Sequence, residues 1–202
     1  MLYALHEIFA TLQGEGRNTG KPCVFVRFAG CNLQCPWCDT DFSPKVHLKE
    51  EALLARIADF GVKNVIFTGG EPLLQRGLEA SLARQLKAAG YWLGVETNGT
   101  IEPSESLRSQ LDYIATSPKV DAPLVITRAN EVRLVVAEGV TADWCRAVRE
   151  AVVAEDYYLS PCDVQGVLQV HPAIALLGEL NAVPLSSPWR LSLQTHKLAG
   201  IP

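Results

Sequence analysis

Short β-rich runs that end in glycine, separated by longer stretches of helical spacing, leave this chain few folds to adopt. Residues 24–28 (VFVRF) lead to Gly30, residues 64–68 (NVIFT) run into Gly69-Gly70, and residues 92–96 (WLGVE) are followed by Asn98-Gly99. Further strands are predicted at 113–116, 131–137, 157–160 and 189–193. Between them, the apolar positions Leu48, Ala52, Leu53, Ile57 and Phe60 predict a helix over 48–60, stopped by Gly61. Helices are also predicted over 73–89, stopped by Gly90, over 141–154, and within 165–180. Strands that alternate with helices make a mainly parallel sheet with right-handed crossovers. A complete eight-unit barrel takes roughly 250 residues. With 202 residues, the chain is predicted to form an α/β partial (β/α)6 barrel with abbreviated helices, in a single domain over residues 1–202. In such sheets function gathers beyond the carboxyl ends of the strands.

The formal net charge is −4 and charged residues make up 20% of the chain. That balance gives no basic surface for nucleic acid or an anionic membrane. No apolar run reaches the roughly 18 residues of a membrane span. The first sixteen residues, MLYALHEIFATLQGEG, lack the basic start of a signal peptide. A cytoplasmic location is therefore expected.

Of six cysteines, Cys31, Cys35 and Cys38 fall within eight consecutive residues, and Cys23, Cys145 and Cys162 are scattered. The scattered three are expected to be buried small apolar residues. Three thiolates in one loop can meet at one inorganic centre, and soft thiolates select zinc or iron–sulfur. A structural zinc site closes with four ligands; His47 is the nearest following histidine that would complete one. Four-iron clusters normally take four cysteines, so three leave one iron open for chemistry.

The spacing Cys31-x3-Cys35-x2-Cys38, with Trp37 before the last cysteine, resembles the radical S-adenosylmethionine superfamily. The segment Thr68-Gly69-Gly70-Glu71-Pro72 is similar to the second signature of that superfamily. The resemblance implies a [4Fe-4S] cluster on Cys31, Cys35 and Cys38, with S-adenosylmethionine at its open iron. It implies that the glycine-rich segment helps to hold the methionine end of that cofactor, because glycine lets backbone approach a ligand closely.

Further segments resemble one family, 7-carboxy-7-deazaguanine synthase: residues 9–20 (FATLQGEGRNTG), residues 26–30 (VRFAG), Cys38-Asp39-Thr40, and the stretch from Gln194-Thr195-His196-Lys197 to Pro202. This resemblance covers nearly the whole chain. It implies a radical ring contraction of 6-carboxy-5,6,7,8-tetrahydropterin to 7-carboxy-7-deazaguanine with loss of ammonia, in queuosine and deazapurine biosynthesis. The substrate would be read by Gln13 and Glu15, with backbone groups of Leu12 and Gly14, by Arg27 at its carboxylate, and by Thr68 and the carboxylate of Pro202. Thr40 would bind magnesium, a hard cation that prefers oxygen ligands. S-adenosylmethionine would contact Trp37, Cys38, Asp39, Gly70, Ser117, Pro118, Lys119, Ser160, Pro161, Cys162 and Asp163. Glu96 and Asn98 sit at a strand end without an assigned role, and His196 and Lys197 would anchor the tail. An electron donor such as a flavodoxin or ferredoxin, and a homodimer, are also implied.

Two other readings share part of the pattern. An activating enzyme that acts on a protein partner would keep the cysteine loop and Gly69 to Pro72 but would not need Gln13, Glu15 or Arg27. A zinc module or electron carrier would need only the cysteines.

Overall fold

The computed structural model describes residues 1–202, the side chains of 79 and 80 excepted. Six parallel strands form its centre: β2 (Pro22–Phe28), β4 (Asn64–Gly69), β5 (Trp92–Thr97), β6 (Tyr113–Thr116), β7 (Glu131–Val136) and β8 (Asp156–Pro161). β11 (Trp189–Leu191) extends this array in parallel beside β8. On the opposite margin β1 (Leu2–Leu12) runs antiparallel to β2, and β3 (Val46–Lys49) antiparallel to β1. The order β11-β8-β7-β6-β5-β4-β2-β1-β3 is that of a partial barrel. β9 (Asp163–Val164) and β10 (Val167–Leu168) make a small hairpin after β8.

The helices are short: α1 (Glu50–Asp59), α2 (Ala83–Ala88), α3 (Glu105–Arg108), α4 (Ala142–Ala151), α5 (Val170–Leu180) and α6 (Thr195–Ala199). Each predicted helix is trimmed for a local reason. Leu48 joins β3, so α1 starts two residues later. The stretch 73–89 is interrupted. Glu71 accepts from Leu73 N and caps a separate turn, Pro72–Leu74, and a π-helical turn, Leu78–Leu82, precedes α2. α4 ends at Ala151 because the extended Val152 and Val153 follow; the Tyr157 hydroxyl donates to Val152 O and accepts from Ala154 N. The hairpin occupies the first part of 165–180. The sequence reading assigned no strand to residues 2–12 or 46–49; both are strands of the antiparallel margin.

Alternation along each strand divides the sheet into two unlike faces. Val24, Val26, Phe28, Val65, Phe67, Val95, Val132 and Leu134 point to the helices and build the main core with Leu53, Ile57, Leu78 and Leu82. The other face starts with a small apolar plug of Cys23, Phe25 and Ile66 at the amino ends. Toward the carboxyl ends that face turns polar. Register pairs Glu7 with Arg27 and Arg27 with Thr68, and it brings Glu96 beside Thr68 and Arg133 two strands further on. A hydrophilic band on an inner sheet face forgoes burial of apolar surface at about 25 cal/mol per Å², which makes it the prime candidate for a functional site.

Candidate active site

One cavity of about 520 Å³ opens over this polar band. Its wall includes Leu12, Gln13, Gly14, Glu15, Arg27, Cys31, Cys35, Trp37, Cys38, Asp39, Thr40, Thr68, Gly70, Ser117, Lys119 and Pro202. These are most of the residues that the sequence singled out. Pro118 and Cys162 line a second cavity, which shares Cys35, Trp37 and Lys119 with the first. Ser160 and Pro161 are buried at the end of β8 and line neither; Asp163 is tied to the first cavity through Lys197.

The cysteine loop follows β2. Cys38 N donates to Cys35 O at 3.1 Å, a single turn that carries both thiols. Cys31 Sγ accepts from Leu33 N at 3.4 Å and stands 3.9 Å from Asn98 Nδ2. All six cysteines are free thiols; Cys23, Cys145 and Cys162 are buried, as expected of small apolar residues, and burial raises each of their pKa values. Burial also raises Cys35, with Lys119 opposing and the neighbouring Cys38 and Cys31 reinforcing. Three half-buried to exposed thiols sharing one cavity wall fit a cluster that needs three protein sulfurs. His47 is exposed on β3 and is not part of that wall, so it does not complete a zinc site there.

The glycine-rich segment supports the loop mechanically. A Cβ at Gly70 would fall on the carbonyl oxygen of Gly30 and lie 2.7 Å from Cys31 Cβ, so only glycine lets β4 end against the loop. Glu71 turns away from the cavity. It is fully buried and accepts from Thr97 Oγ1 at 2.9 Å, Asn98 N at 2.7 Å and Leu73 N at 3.0 Å. Burial raises its pKa, and those hydrogen bonds oppose the rise. Glu71 therefore joins the loops after β4 and β5.

On the antiparallel margin, Glu7 holds Arg27 through Nε at 2.8 Å. Among the described residues the two outer nitrogens of Arg27 have no hydrogen-bond partner. Gln13 Nε2 donates to Glu96 Oε1 at 3.0 Å, and Thr68 Oγ1 donates to Glu96 Oε2 at 3.0 Å. Arg133 is 6% exposed and meets three carboxylates: Glu15 at 2.5 Å, Glu96 at 2.8 Å and Glu131 at 3.1 Å. Burial pushes Glu96 up, but Arg133, Gln13 and Thr68 outweigh it and hold the carboxyl below its usual range. Lys119 donates to Ser117 Oγ at 2.6 Å and stands 5.1 Å from the Trp37 ring centroid; burial lowers it to about 8. The sequence reading missed Glu7, Glu131 and Arg133. The signal for the last two was present, since charged residues two apart in the apolar run EVRLVV must share one face.

The C-terminal helix α6 forms part of the cavity wall. Thr195 N and Oγ1 both donate to Gly14 O at 2.9 Å, and a Cβ at Gly14 would collide with His196. Lys197 Nζ bridges Asp39 and Asp163 at 2.6 Å each.

The superfamily model described as "Radical SAM superfamily" matches residues 25–150. The partial barrel and its three-thiol loop are thus those of a radical S-adenosylmethionine enzyme, with a four-iron, four-sulfur cluster and S-adenosylmethionine as cofactors. The 7-carboxy-7-deazaguanine synthase of Haemophilus influenzae is 44% identical, over 96% of this chain and 92% of that protein. Its counterpart from Neisseria meningitidis is 44% identical, over 98% and 94%. The crystal structure of QueE from Escherichia coli superposes with a TM-score of 0.72 at 26% identity, covering 96% of this chain and 94% of that one. The chain belongs to the 7-carboxy-7-deazaguanine synthase family. Among the described residues no helix is long and apolar enough to cross a membrane.

Proposed function

We propose that this chain converts 6-carboxy-5,6,7,8-tetrahydropterin to 7-carboxy-7-deazaguanine, with loss of ammonia. The observation that carries this reading is the shared cavity: Cys31, Cys35 and Cys38 on one wall, Gln13, Glu15 and Arg27 on another. When bound, the cluster and S-adenosylmethionine supply a carbon radical able to take hydrogen from carbon 6 of the substrate.

The protein's own residues bind and orient. Cys31, Cys35 and Cys38 hold the cluster. Gly70 keeps backbone close to it, and Trp37, Asp39, Ser117 and Lys119 line the room for S-adenosylmethionine, with Pro118, Ser160, Pro161, Cys162 and Asp163 behind them. Arg27, oriented by Glu7 through Nε, has its outer nitrogens available for a bidentate grip on the substrate carboxylate. Gln13, Glu15, Thr68 and the backbone of Leu12 and Gly14 meet the pterin. Pro202 at the cavity wall supports a role for its carboxylate there. Thr40, beside Asp39 at 3.3 Å, offers a hydroxyl for magnesium. An external one-electron donor of the flavodoxin or ferredoxin kind, and a two-copy assembly, belong to the same reading. A cavity of about 520 Å³ with His196 and Lys197 of α6 on its wall suits a small molecule better than a protein segment, which disfavours the activating-enzyme alternative.

The test is an anaerobic assay of the iron-reconstituted protein with the carboxylated tetrahydropterin, S-adenosylmethionine, magnesium and a reductant. Formation of 7-carboxy-7-deazaguanine alongside 5′-deoxyadenosine is expected. Cofactor cleavage with the pterin left intact would reject the substrate.

A further inference from the structure

We propose that Arg133 sets the substrate selectivity of the cavity: its two terminal nitrogens hold the carboxylates of Glu15 and Glu96 as a pair of ionised acceptors, and that pair selects a heterocycle edge bearing N–H donors. The inference rests on the pterin reading above and deepens it.

The hydrogen-bond inventory at this end of the cavity is one-sided. Thr68 spends its hydroxyl hydrogen on Glu96 Oε2, and Gln13 Nε2 gives one of its two hydrogens to Glu96 Oε1. Each carboxylate oxygen has two lone pairs. Glu96 Oε2 takes only Thr68, and among the described residues Glu15 Oε1 takes no partner. Beside the second hydrogen of Gln13 Nε2, what these residues leave for a ligand is acceptor capacity. The pyrimidine edge of a pterin presents an amino group and a ring N–H, which match it. A 2-oxo analogue puts a carbonyl oxygen where the amino group was, against a carboxylate that cannot donate.

Arg133 makes this arrangement stable. Glu131, the third carboxylate on the guanidinium, accepts through Oε2 from Tyr113 Oη at 2.6 Å and Arg17 N at 2.9 Å, turns Oε1 to Arg133 Nε at 3.1 Å, and does not line the cavity. Lys119, from the loop after β6, is also near enough to feel Arg133 and Glu15, and it donates to Ser117 instead. Without Arg133, Glu15, Glu96 and Glu131 would crowd one buried space with like charges. Such a group relieves the repulsion by taking up a proton, and a protonated carboxyl donates. Loss of Arg133 thus turns one acceptor into a donor and admits the 2-oxo edge.

The test is equilibrium binding of 6-carboxypterin and 6-carboxylumazine to the anaerobic, cluster-loaded protein with S-adenosylmethionine present. Binding rather than turnover is read, so the result is independent of radical chemistry. The native protein is expected to prefer the pterin by at least about a hundredfold, since a site built to hydrogen-bond a substrate N–H rejects the analogue that lacks it by up to about 10⁴–10⁵. Arg133→Met should reduce the ratio below about tenfold, chiefly by improving the relative binding of the lumazine, with Arg133→Lys in between. A merely structural role would weaken both ligands alike. Far-UV circular dichroism verifies folding; if Arg133→Met does not fold, Arg133→Lys carries the test. An unchanged ratio in a folded Arg133 variant overturns this inference alone. Failure of the native protein to bind either heterocycle rejects the pterin reading and this inference with it.

Discussion

Lys197 donates to Asp39 at 2.6 Å and so fastens the C-terminal helix to the residue that follows the third cysteine of the loop. The same ammonium reaches Asp163 at 2.6 Å, which ties in the start of β9, just beyond β8, as well.

Lys197→Met should therefore affect cofactor handling more than stability. Half-exposed ion pairs contribute ~1 kcal/mol or less each, so the melting temperature should fall by only about 2–4 °C. The affinity for S-adenosylmethionine, measured by equilibrium dialysis, should fall about tenfold. A variant that binds the cofactor normally would show that the bridge does not organise that side of the cavity.

Gly70→Ala should leave a folded, iron-containing protein with little cleavage activity. The added methyl displaces the backbone at 30–31, and small misplacements at a reacting centre cost about a hundredfold in rate. Iron content and the rate of 5′-deoxyadenosine formation are the two readouts. Native rates would refute the packing argument.

Cys35→Ala should abolish turnover, whereas Arg27→Ala should spare cofactor cleavage and raise the KM for the carboxylated pterin about 10–100-fold. Glu7→Gln, which removes the charge that orients Arg27, should give a smaller rise in the same parameter. Steady-state assays at varied substrate concentration separate these effects.

Glu71→Gln should destabilise the fold without touching the ligand cavity directly. The amide keeps one accepting oxygen, but its nitrogen must face either Leu73 N or Asn98 N, where the carboxylate accepted. A buried mismatch of this kind costs about 1–3 kcal/mol, or roughly 5 °C in melting temperature for a chain of this size.

Stability should decline in acid. The folded-state pKa of Glu96 lies below its unfolded value of about 4.3. Its contribution is therefore complete above that value and is lost as the pH falls through the folded pKa. Glu50, Glu155 and Asp163 are lowered too and act in the same direction. Glu71 is raised and acts in the opposite one. Thermal melts from pH 7 to 3 should be flat down to about pH 5 and then fall. A rise in stability below pH 4 would contradict this balance.

Local motifs were legible in the sequence, and long-range pairings were not. The cysteine spacing and Gly69-Gly70 act within a few residues of themselves, and the structure puts Cys31, Cys35, Cys38 and Gly70 around one cavity. The parallel strands were legible because each is a compact apolar run. β1 was not: in LYALHEIFATL, polar His6 and Glu7 interrupt the apolar spacing on a margin that is half cavity wall. Leu48 fits a helical period, yet it sits in β3 opposite Tyr3. The partnership of Arg133 with Glu15 spans 118 positions, and only sheet register brings them together.

The hydrogen bonds from Thr195 to Gly14 link positions 181 apart. The same Gly14 leaves no room for a side chain beneath His196. The two ends of the chain are therefore stitched together at the rim, and damage to either one is felt at the other.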